Sequence, residues 1–391
     1  MPVEFTKTQE LKLAATVAGV ISLRLLGLFL ILPVFMVMAR DISGFTPLLG
    51  GLAVGIYGLT QALLQQPFGW LSDRWGRRPV LLLGLALFAA GGVVAALSDD
   101  MVTLIAGRAL QGCGAIAGVA LALAADLTQP QRRSVVMAII GMAIGASFLL
   151  SMVLSVPLAN LIGLTGLFWL TVVFALVGVV LVLTLPRAAV QTGVAEPDGE
   201  LPMAPVWLLS FSILLLHAVM TLLFVTLPPM LVDAFGFELA DHWKMYLPTM
   251  LASVLIVFPL LRRVGSALAE QRMLPWAFGS MALALVLLPT DPGLPMLGAL
   301  VALYFLGFNL LEAGMPSLLS RLTGSRKRGR RLGVYSGAQF FGAFLGGVMG
   351  GWLLSRFGSG VALVTAGVVC LCWGLVLRWA EPRFFLTREA A

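Results

Sequence analysis

Apolar residues fall in long blocks separated by short polar connections, at 12–38, 47–71, 79–97, 101–127, 134–159 and 164–185. A second set follows at 205–235, 242–261, 273–289, 296–321, 331–354 and 360–379. A helix crosses the hydrocarbon of a bilayer with ~17–25 such residues, so the pattern predicts an all-α membrane protein of twelve spans. A transmembrane β-barrel would need short segments of alternating polarity, and none occur. The first block is too long for the core of a signal peptide and leads directly into another span. The longest polar stretch, 186–205, carries Glu196, Asp198 and Glu200. It predicts a linker at 186–204 between an N-terminal half, 1–185, and a C-terminal half, 205–379, with a short tail at 380–391.

Composition agrees with this reading. Hydrophobic residues make up 60% of the chain and charged residues 11%, with a mean hydropathy of +1.01. Soluble domains carry roughly twice that charged fraction, about 25%. The net charge of +7 belongs to topology. With an even number of spans, Arg40, Lys244 and Arg356 alone fall on one side, Arg24 and Arg108 lie within spans, and every other Lys and Arg falls on the opposite side. Cationic loops stay in the cytoplasm, so both termini and the linker are expected there, in a bacterial inner membrane. The charge then faces anionic lipid, and no nucleic-acid partner is expected. Cys113, Cys370 and Cys372 all lie in apolar blocks and read as packing residues. There is no phosphate-binding loop, no His/Cys metal constellation and no nucleophile elbow, so neither an enzyme nor a cofactor is expected.

Glycines recur four apart at Gly141 and Gly145 in span five, and at Gly342, Gly346 and Gly350 in span eleven. Such spacing lets helix backbones approach closely, which predicts tight packing at equivalent places in the two halves. The most specific string lies between spans two and three: Gly69-Trp70-Leu71-Ser72-Asp73-Arg74-Trp75-Gly76-Arg77-Arg78-Pro79. A plain basic loop needs arginines, but not an aspartate, two placed glycines and a proline opening the next helix.

This string resembles the motif A signature of the major facilitator superfamily. The resemblance implies two pseudo-symmetric six-helix bundles around a central cavity. It also implies a cytoplasmic latch of Gly69, Asp73, Arg74, Gly76, Arg77 and Arg78. Gly69 would allow close helix packing, Asp73 would face the start of the eleventh span, and Arg77 would pair with Asp126 at the end of the fourth. Arg108-Ala109-Leu110-Gln111-Gly112 is similar to motif B of proton-driven members. Ser22-Leu23-Arg24, Ile56 to Gln61, Asn309 to Ala313 and Gly333 to Ser336 extend the likeness across nearly the whole chain, and look like the YajR-type branch. Two departures stand out. The chain stops soon after its last span, where members of that branch can carry a soluble domain. The span-five antiporter motif is replaced by Ser155-Val156-Pro157-Leu158, which weakens the case for antiport.

Ionisable side chains inside a membrane are costly enough to mark function. Four lie well within spans: Arg24, Arg108, His217 and Glu312, in spans one, four, seven and ten. In the resembling family these spans line the cavity. Glu312 is the expected proton-binding group, and Arg108 and His217 are grouped with it as proton-coupling residues. Arg108 could lower the pKa of a nearby acid, hold substrate, or serve as a structural tether to backbone carbonyls. The alternative for Glu312 is a structural carboxylate bonded to Asn309 or Tyr304. Arg24 favours neutral, anionic or zwitterionic substrates over cations. His217 with Met220 reads as a polar helix contact or a soft-metal pair, but no second His or Cys lies at ligand spacing. Tyr57, Gln61, Gln65, Gln111, Trp169, Asn309, Tyr335 and Gln339 complete an expected amphipathic lining. The leading expectation is a monomeric secondary transporter that couples protons to efflux of a small organic or amphipathic solute by alternating access. An uncoupled or lipid-like carrier is the runner-up, and a receptor or scaffold on the same fold is a reading from another class.

Overall fold

In the computed structural model, residues 7–129, 132–186, 203–263, 267–322 and 328–384 are described. Residues 187–202 of the expected linker at 186–204, and residues 385–391 of the expected tail at 380–391, lie outside them. Eleven α-helices follow in chain order among the described residues: α1 (Lys7–Met38), α2 (Pro47–Trp75), α3 (Arg77–Ala96), α4 (Met101–Cys113), α5 (Ala117–Asp126), α6 (Arg133–Thr184), α7 (Ala204–Asp233), α8 (Trp243–Arg263), α9 (Ala267–Leu287), α10 (Gly293–Leu322) and α11 (Arg328–Phe384). Ten segments among the described residues are long and apolar enough to cross a membrane. α4 and α5 together form one of them, Met101–Asp126.

Two of the ten, Val135–Thr184 and Arg331–Ala380, run for 50 residues. At 1.5 Å per residue each is more than twice the ~30 Å needed for one crossing. Each breaks at a glycine with positive φ: Gly163 at φ 69° in α6, and Gly358 at φ 80° in α11. Only glycine adopts this backbone without strain, and the breaks fall where the sequence predicts spans five and six, and eleven and twelve, to divide.

Contacts divide the chain into two compact units, Met1–Phe45 with Ile56–Val194, and Thr46–Gly55 with Ala195–Ala391. In the first unit α6 packs along α1 and α3, and α3 also packs on α4. Serine hydroxyls tie α1 to α6. Ser22 donates to the carbonyl of Ala143 (3.2 Å), Ser151 to Leu26 (3.3 Å) and Ser155 to Leu30 (2.6 Å). In lipid, small polar residues let helices approach and bond where an apolar face gives no hydrophobic drive. Ser155, in the altered span-five string, thus serves packing.

In the second unit α11 packs along α7 and α9, while α10 packs on α8, α9 and α7. The expectation for Gly342 and Gly346 holds. A Cβ at Gly342 would lie 2.1 Å from the carbonyl oxygen of Leu214, and one at Gly346 2.0 Å from that of Ala218. At Gly350 it would meet Leu222 at 3.1 Å. The matching expectation for Gly141 and Gly145 does not hold, because a Cβ at either would meet nothing within 4 Å among the described residues.

Candidate functional site

The four intramembrane ionisable groups resolve into two clusters, one in each unit. In the first unit Arg24 rises from the middle of α1 and Arg108 from α4, and both are buried. Their guanidinium carbons lie 5.6 and 5.2 Å from the centre of the Tyr57 ring on α2, and Arg24 also sits 5.7 Å from the Phe88 ring on α3. Glutamines supply the hydrogen bonds. Arg24 donates to Oε1 of Gln61, whose amide nitrogen donates to Gln65 (3.0 Å). Arg108 donates to Oε1 of Gln111 (2.7 Å), which donates onward to the Thr171 hydroxyl (3.0 Å). Arg24 Nε and the Tyr57 hydroxyl are buried with no hydrogen-bond partner among the described residues.

Each guanidinium at mid-membrane costs ~2.5–3.5 kcal/mol on insertion scales. A cation–π contact returns ~0.5–2 kcal/mol and a charge-assisted hydrogen bond ~1.5–3 kcal/mol. The cluster therefore holds its two positive charges at little net gain. Trp169, expected in the lining, stands apart on α6 at 41% exposed; Thr171, two residues on and turned to the other side of the helix, joins the cluster instead.

In the second unit the expected acid finds partners other than Asn309 or Tyr304. His217 Nε2 on α7 lies 3.0 Å from Glu312 Oε2 on α10. The Gln339 amide nitrogen on α11 lies 2.8 Å from His217 Nε2 and 3.4 Å from Glu312 Oε1. The His217 side chain is 9% exposed and that of Glu312 36%. Asn309 turns away to donate to Ser253 on α8 (2.8 Å). The hydroxyls of Tyr304 and Tyr335 are buried with no partner among the described residues.

One imidazole nitrogen cannot donate to Glu312 and accept from Gln339 at once. With the proton on Nε2, His217 donates to the carboxylate and the Gln339 amide must present its oxygen. With Nε2 bare, Glu312 must carry the proton, and the Gln339 nitrogen can donate. The proton's position and the amide's orientation are therefore coupled.

The α2–α3 turn brings several residues of the expected latch together within the first unit. Gly76 ends α2 and begins α3 at φ 88°, a conformation that strains any other residue. That reversal aims Arg77 back across the turn. Its Nε donates to Asp126 Oδ2 at the end of α5 (2.9 Å), and its NH1 donates to Ser72 (2.7 Å) and to Asp73. Arg77 and Asp126 are largely shielded, at 12% and 13% side-chain exposure, whereas Asp73 is 60% exposed. Arg78 caps the end of α6 through the carbonyls of Leu183 (2.7 Å) and Leu185 (3.2 Å), where a cation suits the helix dipole. Arg74 stacks 3.9 Å above the Trp70 ring. Gly69 makes no tight contact among the described residues, where a Cβ would meet nothing within 4 Å. A neighbouring pair went unnoticed in the sequence: buried Glu10 accepts from Arg132 (2.6 Å) and from the Gln129 amide (3.1 Å), tying the start of α1 to the start of α6.

The profile of the Major Facilitator Superfamily matches residues 17–311 and 259–385. The inner membrane transport protein YajR of Escherichia coli K12 is 40% identical over 375 residues, covering 93% of this chain and 82% of YajR. The multidrug resistance protein MdtH of Cronobacter sakazakii is 27% identical over 371 residues and 90% of each chain. The crystal structure of the human organic anion transporter MFSD10 shares the fold, with a TM-score of 0.72 at 21% identity over 94% of this chain and 99% of that one. A profile spanning the helices of both units, and a relative this similar over nearly the whole length, lead to one conclusion: the chain belongs to the Major Facilitator Superfamily, in its YajR branch, as an all-α, multi-pass inner-membrane transporter and not an enzyme.

Proposed function

We propose that this transporter couples proton movement to the efflux of a small organic or amphipathic solute by alternating access, working as a monomer with both termini in the cytoplasm. The observation that carries the coupling is the His217–Glu312–Gln339 cluster, in which a half-exposed carboxylate touches a largely shielded imidazole. A proton arriving on Glu312 discharges the carboxylate and weakens its hold on His217. Gln339 then turns its amide, so occupancy of one site is felt on α7, α10 and α11 together. Alternating access needs this property: a ligand shifts a conformational equilibrium only through contacts that differ between the states. The name of MdtH, a multidrug resistance protein, supports the outward direction.

The Arg77–Asp126 latch supports a second part of the reading. A shielded ion pair across one turn holds the end of α5 against α2 and α3, and its release provides a step that substrate or proton binding can trigger. The reading is tested in proteoliposomes carrying an imposed pH gradient. Accumulation of substrate should follow the gradient and cease when it is collapsed. Accumulation that persists without a gradient would mark an uncoupled carrier.

A further inference from the structure

Among its described residues, the first unit's spans hold two buried arginines, Arg24 and Arg108, and no carboxylate well inside them. The carboxylates of its described residues all sit at helix ends or in connections: Glu10, Asp41, Asp73, Asp99, Asp100 and Asp126. Along α1, Arg24 is separated from Glu10 by fourteen residues and from Asp41 by seventeen, about 21 and 25 Å of helix. Most of these acids are already engaged. Glu10 bonds Arg132, Asp73 and Asp126 bond Arg77, and Asp100 caps α4. Arg24 therefore meets only amide oxygen and aromatic faces among the described residues.

A structural tether would use all of its donors. Here Arg24 Nε and the Tyr57 hydroxyl, both buried, remain unused within one cluster. Oε1 of Gln61 accepts from Arg24 and Oε1 of Gln111 from Arg108, and both are neutral oxygens at the ends of side chains that can rotate. They occupy the positions that the oxygens of an anion would take. The surrounding rings of Tyr57 and Phe88 suit an aromatic or aliphatic body beside such a group.

We propose that Arg24, Tyr57 and Arg108 form a docking site for the anionic group, a carboxylate or its equivalent, of an amphipathic organic solute, with Gln61 and Gln111 holding the arginines until it arrives. The substrate class is thus an organic anion. This rests on the reading of the chain as a solute transporter and names what its first unit binds. Guanidinium presents a planar fork that matches carboxylate oxygens, and exclusion of water strengthens each bond.

The test uses the full chain in a non-ionic detergent and matched probes on naphthyl, benzyl and octyl scaffolds, each as carboxylate, carboxamide and amine. Thermal shift and equilibrium binding are read together. Carboxylates should bind on the order of tenfold or more tighter than their carboxamides, and amines should not bind through this site. Arg24→Gln and the milder Tyr57→Phe should each erase most of that preference, while Arg24→Lys should restore part of it. Short-chain phosphatidylglycerol against phosphatidylcholine forms a second arm. Competition by the former alone would identify a lipid headgroup as the source of the anion. The proposal is overturned if no carboxylate in the set is preferred over its amide, or if the preference survives in both variants. Proton-driven flux is measured separately on the same protein. Flux of amides or amines without any carboxylate preference would sink the anion site and leave coupling intact, and carboxylate binding without proton-driven flux would do the reverse.

Discussion

The Nε2 of His217 lies 3.0 Å from the Glu312 carboxylate, and the two residues, on different helices, are separated by ninety-five positions of sequence. Gln339 reaches the same nitrogen from a third helix. In the proposed coupling, a cluster joined this way reports a single proton to three helices. His217→Asn keeps a hydrogen-bonding side chain but cannot take up a proton. It should lower proton-driven transport by on the order of tenfold or more and flatten its pH dependence, with substrate binding retained. Gln339→Leu should slow transport at saturating substrate while leaving the number of bound protons unchanged. Flux against pH in proteoliposomes checks both variants. An unaltered pH profile in His217→Asn would remove the imidazole from the coupling path.

The latch makes a quantitative prediction because its two arms differ in exposure. Arg77–Asp126 is shielded and Arg77–Asp73 is open to solvent at the aspartate. In double-mutant cycles the shielded arm should couple by about 1–2 kcal/mol and the exposed arm by ~0–1 kcal/mol. Asp126→Asn should therefore lower thermal stability more than Asp73→Asn does. Equal coupling in both arms would show that shielding of the pair does not set its strength.

Glycines on α11 and α6 differ sharply in what they face. Gly346→Ala would push a methyl group to 2.0 Å from the Ala218 carbonyl oxygen, and the α7–α11 pair must then separate. The expected cost is ~1–3 kcal/mol or more, seen as a lower melting temperature. Gly141→Ala meets open space and should be neutral or stabilising by ~0.5–1 kcal/mol, since alanine favours helix.

Much of this architecture was legible in the sequence because membrane helices announce themselves through length and polarity. The divisions at Gly163 and Gly358 fell in predicted gaps, and the Gly76 turn with its Arg77–Asp126 pair followed from one dense motif. The site was less legible, for a physical reason. Spacing along one helix says which residues share a face, but not which helix that face meets. Glu312 thus found His217 and Gln339 while Asn309 went to Ser253, and Thr171 took the place expected for Trp169. Gly141 and Gly145 carried the small-residue pattern, and Gly69 its motif position, without a close contact among the described residues, because such a pattern permits an approach and does not compel it.

Asp100 gives a pH-dependent handle outside the spans. Its carboxylate accepts from the backbone N–H groups of Thr103 (2.9 Å) and Val102 (2.8 Å) and from the Thr103 hydroxyl (2.8 Å), capping α4. These bonds, those to Thr103 foremost, hold its pKa below the usual 3.8. Ionisation is therefore favoured in the folded protein. The cap's contribution should be complete above the unfolded pKa and fade as pH falls through the lower folded value. Asp100→Asn should keep most of the cap and lose that acid dependence, which hydrogen exchange in the first turn of α4 can follow.

The most direct test of proton coupling is substrate accumulation by Glu312→Gln in proteoliposomes, compared with the parent protein under the same imposed pH gradient. The amide preserves size and hydrogen bonding but cannot exchange a proton. Accumulation should fall to the level set by passive equilibration, with substrate binding to the first unit preserved. Gradient-driven accumulation equal to that of the parent protein would contradict the assignment of Glu312 as the coupling site.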